Sequence, residues 1–220
     1  MEQLLPTLVK LLSDPAGLTN PIPPSTIETI QEGSYPWSVN LGNVHASAGF
    51  ALLKFDLAQV SEILKTHLND EAMRPNYLCK LAETNTGPWL GDLTAYLESR
   101  RIREEKKAVS WGADPKTYRP ALSGNSFKCW NLIYEYLHGL PFAAFANGKS
   151  DRYLDALELA GDTGSQEPLK LYELFRMKGL NKRAVRFRKA NKQRIDVYGV
   201  SKFFDEVDAK YPNNGMIPDQ

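Results

Sequence analysis

Apolar residues recur every three or four positions along most of the chain, and no alternating, β-branched run is long enough to require a strand. The pattern predicts an all-α, multi-helical protein. A first helix is expected from Glu2 to Ser13, ending before Asp14-Pro15. The Pro21-Ile22-Pro23-Pro24 stretch that follows must be extended, because proline disfavours helix in its predecessor. Ser25 to Glu28 has capping-box spacing and could open a short second helix. Between Asn43 and Leu68, the positions Val44, Ala48, Ala51, Leu52, Phe55, Ile63, Leu64 and Leu68 fit one helix. Asp56, with Gln59 three residues on, also reads as an N-cap that would split it in two. Gly87-Pro88 marks a turn, and Asp92 is expected to cap a helix carrying Leu93, Tyr96 and Leu97 on one face. Farther on, Phe127, Trp130, Ile133, Tyr134 and Leu137 share a helical face, and a helix from Arg152 to Ala160 precedes the flexible Gly161 to Ser165.

With 220 residues, 42% apolar content and a mean hydropathy of -0.41, the chain belongs with globular proteins of one domain or two small ones. Its 14 prolines and 15 glycines are ordinary usage, which argues against a collagen-like or mainly disordered chain. No stretch approaches the roughly 18 to 20 apolar residues that span a bilayer. The N-terminus is too broken by polar residues and Pro6 for a secretory signal, so a cytoplasmic location is expected, in a bacterium or a phage-infected host cell. Cys79 and Cys129 stand far apart, without a Cys-x-x-Cys or paired histidines; both read as buried thiols, and neither a metal site nor a cofactor is expected.

The net charge of +1 conceals an uneven distribution. Residues 1–80 carry -3, whereas Leu169 to Arg194 hold ten basic residues against the single Glu173, and the tail from Ile195 returns to -3. Such polarity suggests an acidic helical domain over 1–90, for oligomerisation or partner binding, and a basic helical domain over 91–220.

Within the basic part, the segment 104–138 reads as helix, tight turn, helix, helix. Gly112 can supply the positive φ of the turn, Asp114 is an N-cap, and Pro115 falls at the first helical position. With Ala108 four residues before the glycine, Ala113 after it, and Tyr118 and Ala121 placed to pack inward, the segment resembles the helix-turn-helix of phage repressors and related regulators. The resemblance implies double-stranded DNA as partner, with the second helix in the major groove and Lys116, Thr117 and Arg119 as its contact residues. Lys107 stands where an apolar residue is usual, and Pro120 falls inside the would-be recognition helix. A plain helical hairpin fits the same segment.

A looser version of the order runs over 171–207. Gly179 marks the turn, Leu174, Leu180 and Val185 fit apolar positions, and Val200, Phe203, Phe204 and Val207 supply a packing helix. Phe175 and Lys178 depart from the small and apolar residues that the pattern prefers. Lys182, Arg183, Arg186, Arg188, Lys189, Lys192 and Arg194 place seven cations in thirteen residues. One reading is a solvated face neutralised by Asp205, Glu206 and Asp208. The other is a helix lying along phosphates, anchored by Phe187 while the basic side fans outward. The two segments have the order of a divergent internal repeat, which would act as a pair of half-site readers.

No nucleophile elbow, Walker loop, dinucleotide fingerprint or zinc-protease motif occurs, and Glu104-Glu105 and Asp205-Glu206 are adjacent pairs that splay on a helix. His45, His67 and His138 read as structural or surface residues. Trp89, Trp111, Trp130, Tyr134 and Tyr136 could stack bases, but their helical spacing fits a core. The expectation is therefore a non-enzymatic, sequence-specific DNA-binding transcriptional regulator of bacterial or phage origin, with a homodimer in view. Two alternatives remain: a viral nucleocapsid-like RNA binder, or a phage anti-defence protein acting by protein contact.

Overall fold

The computed structural model describes residues 4–13, 44–71, 73–114, 122, 124–160, 166–197 and 201–212. Every element among them is helical, so the fold is all-α and multi-helical as the periodicity predicts. The chain divides into two compact units, 1–81 and 82–220, nine residues ahead of the boundary that charge suggests.

In the first unit, α1 (Leu4–Ser13) buries Leu8 and Leu12 and pairs with α2 (Val44–Leu52). The helix expected over Asn43 to Leu68 is split: α2 ends at Leu52, and α3 (Leu57–Thr66) starts after an extended Asp56 at its N-cap. The Asp56 carbonyl receives the Gln59 N–H at 2.9 Å, while its side chain makes no capping bond. Leu52, Val60, Leu64, Met73 and Tyr77, the last two from α4 (Arg74–Ala82) and its approach, form the core. Gly49 lets α2 come close to α4, since a Cβ there would collide with the Tyr77 hydroxyl and lie 3.2 Å from Met73 Cγ. His45 Nε2 is 2.9 Å from Asp70 Oδ2, a partly buried pair, and His67 ends α3 with Nδ1 2.8 Å from the Ile63 carbonyl. The Pro-rich stretch and the capping box at Ser25 lie outside the described residues.

In the second unit, Gly87–Trp89 forms a 3-10 turn that runs directly into α5 (Leu90–Val109). Asp92 is thus inside the first turn and not at the cap, where it still complements the positive helix end. Leu93 and Leu97 are buried as expected, joined by Leu90 and Thr94. Helix α6 (Gly124–Gly139) packs on α5 and α7 (Asp151–Leu159) through Cys129, Trp130, Ile133 and Leu137. Phe127 is exposed and Ser126 takes its place on the inner face. The Trp130 indole donates to the Leu157 carbonyl at 3.1 Å and stacks on Tyr134, so this pair belongs to the core. Both cysteines are buried. Helices α8 (Gln166–Met177), α9 (Asn181–Val197) and α10 (Ser201–Lys210) complete the unit, with α8 packed against both others. Among the described residues, no helix is long and apolar enough to cross a membrane.

Candidate nucleic-acid interface

The basic cluster of the sequence lies on α9, and the turn that launches this helix is set by Gly179. Its φ of +66° is open to glycine at little cost. The Gly179 N–H then reaches the Arg176 carbonyl at 3.2 Å, and the Leu180 N–H the Phe175 carbonyl at 2.8 Å, a Schellman closure of α8. Lys178, out of place in an apolar pattern, has a specific task here. Its buried ammonium donates to the His138 and Leu140 carbonyls at 2.7 and 2.6 Å, capping the end of α6, and burial lowers its pKa.

The inner face of α9 is Ala184 and Phe187, both buried, and Phe187 meets Phe175 edge-on with ring centroids 5.5 Å apart. Helical geometry then places Arg183 on one flank and Arg188 on the other. Arg183, only 12% exposed, reaches toward α7 and pairs with Asp151 at 3.2 Å, Asp155 at 2.7 Å and Glu158. Burial opposes its charge, but Glu158 and Asp155 outweigh that effect and hold the guanidinium above its ordinary range. At Glu158 the balance reverses: burial raises the carboxyl against the pull of Arg183, which makes it the readier of the two to change charge as pH falls. On the opposite flank, Arg188 pairs with Asp205 at 2.5 Å and Asp208 at 2.8 Å on α10. Asp208 also accepts the Tyr172 hydroxyl at 2.7 Å and lies 2.9 Å from Arg176 Nε.

These contacts sort the expected binding residues. Arg183 and Arg188 are drawn into carboxylate clusters that fasten α9 to its neighbours, so their donors are already directed at protein oxygens. Lys182, Arg186 and Lys189 fall at i, i+4 and i+7, form one outward ridge and are exposed. Val185 is the unexpected member of that ridge: instead of filling an apolar inner position it is 64% exposed among the cations. Phe203 is likewise exposed, leaving Phe204 as the buried aromatic of α10. The side chains of Lys192 and Arg194 lie outside the described residues, as do Lys116, Thr117 and Arg119. What is seen of the first segment is its turn: Gly112 has φ +87°, and the Ala113 N–H meets the Ala108 carbonyl at 3.1 Å.

The sequence reading neutralises α9 by the acidic tail alone; Asp205 and Asp208 do hold Arg188, and Asp151, Asp155 and Glu158 of α7 hold Arg183 as well. The signal was legible, because Asp151, Asp155 and Glu158 follow i, i+4, i+7 spacing and must line one stripe of their helix. Among the described residues, no group of three or more His, Cys, Asp or Glu side chains converges in a way that could hold a metal ion. Comparison of this chain with protein families, curated proteins and solved structures finds no match.

Proposed function

We propose that this protein binds double-stranded DNA without catalysing a reaction, and acts in the cytoplasm of a bacterium or phage-infected cell as a transcriptional regulator. One observation carries the reading. Lys182, Arg186 and Lys189 line one exposed ridge of α9, around the equally exposed Val185. A row of accessible cations along one helix face suits a phosphate backbone. The helix, glycine turn and helix formed by α8 and α9 suit the resemblance to helix-turn-helix regulators, in which the second helix faces DNA. Lys116, Thr117 and Arg119 remain the proposed base-reading residues of the first segment. The N-terminal unit is assigned to oligomerisation or partner binding, and a homodimer would present two copies of the ridge.

The test replaces Lys182, Arg186 and Lys189 together by glutamine. Melting should stay that of the wild type, duplex affinity should fall at least tenfold, and the log–log salt slope should flatten by up to about 2.7. Unchanged affinity would return the ridge to the role of a solvated surface. A preference for RNA over duplex DNA in the same titration would favour the nucleocapsid-like alternative.

A further inference from the structure

The end of α5 presents a second basic surface of a different kind, independent of the α9 ridge. Trp111, on the turn closed by Gly112, is 73% exposed, although an indole normally buries most of its large apolar area. Ile102 and Val109, seven residues apart on α5 and hence on one stripe, are also exposed. Lys106 falls between them, and Arg103 and Lys107 run alongside, all three exposed. Lys107 Nζ stands 5.1 Å from the centre of the Trp111 ring. Of the acids at this helix end, Glu105 is held by both of its oxygens on Arg101 at 2.7 and 2.8 Å, Glu104 is half-buried and Asp114 is exposed, so Arg103, Lys106 and Lys107 still leave a positive balance.

An accessible indole beside three cations calls for a ligand with a flat π surface and negative charge. We infer that this end of α5 is a binding site for single-stranded nucleic acid, in which an unpaired base stacks on the face of Trp111 opposite the Lys107 ammonium and the neighbouring phosphates lie along Arg103, Lys106 and Lys107. A cation beside the ring and an aromatic platform flanked by basic residues are the two parts that such sites combine. A duplex does not fit, because its bases are already stacked on both sides. An acidic peptide would meet the same cations, but its carboxylates offer no flat π surface to the exposed indole. A membrane requires a helix that can sink a broad apolar side, and the opposite side of α5 is committed to the core through Leu93 and Leu97.

The experiment titrates the full chain with a short fluorescent oligodeoxythymidine, in parallel with vesicles containing phosphatidylserine. Three proteins are compared: wild type, Trp111→Ala and Trp111→Phe. The alanine variant should lose about tenfold in oligonucleotide affinity, the phenylalanine variant should keep most of it, and both should melt like the wild type. Lys106→Gln with Lys107→Gln should weaken binding and flatten the salt slope by about 1.4, set by the single-strand value per phosphate. Wild type that does not bind the oligonucleotide, or Trp111→Ala that binds it like wild type, overturns the assignment. Vesicle binding that depends on Trp111 without oligonucleotide binding overturns it in favour of a lipid surface.

Discussion

Arg183→Ala should destabilise the protein, whereas loss of its neighbour Arg186 should not. Asp151 and Asp155 are each 57% exposed, so their pairs with Arg183 belong to the solvent-screened class worth about 0.2–1 kcal/mol apiece. Glu158 is 24% exposed, and stranding it would approach the roughly 3–5 kcal/mol of a broken buried pair, reduced because this carboxyl can take up a proton. The guanidinium also sits 5.8 Å from the Phe175 ring centre, a contact worth about 0.5–1 kcal/mol. Together these give a loss of about 2–4 kcal/mol, and a fall in melting temperature on the order of 6–15 °C. Calorimetry at several pH values provides a second check. Without Arg183 the Glu158 carboxyl rises further, and a group whose folded pKa exceeds its unfolded value contributes fully at low pH and loses its contribution as pH rises through the folded value. The deficit of the variant should therefore grow from acid toward neutral pH. Melting like wild type, or a deficit that does not change with pH, would refute the clasp formed by α7 and Arg183.

Gly49→Ala should cost about 1–3 kcal/mol, because the new methyl meets the fully buried Tyr77 side chain. Adding Tyr77→Phe should recover part of that loss in denaturant melts, since the hydroxyl it removes is buried without a partner among the described residues; a double variant no more stable than Gly49→Ala would contradict the packing argument. Tyr134 is pushed from 10.0 up to about 12, first by burial and then by Glu173 and Glu135. Its contribution to stability is complete below the unfolded value and is lost as pH rises through the folded one, so Tyr134→Phe should unfold less steeply above pH 10; identical alkaline profiles would exclude this assignment.

Helical periodicity identifies the helices of the second unit well because each buries a single stripe, as α6 does with Trp130, Ile133 and Leu137. It fails at flanks, where the partner is decided by tertiary packing. Arg183 and Arg186 are indistinguishable in a basic run, yet three positions along α9 rotate by about 300°, enough to turn one toward α7 and the other toward solvent. Lys178 is a similar case. A lysine in an apolar position looks like a defect until the end of α6 arrives with two carbonyls that need a donor. Val185 and Trp111 depart in the opposite direction: both are apolar, spacing places both inward, and both are exposed. Burial of a hydrophobic residue is the default outcome that spacing predicts. A single exposed apolar residue such as Val185 is ordinary on a protein surface, whereas Trp111 shares one helix end with the exposed Ile102 and Val109, which makes Trp111 the sharper probe of what this protein binds.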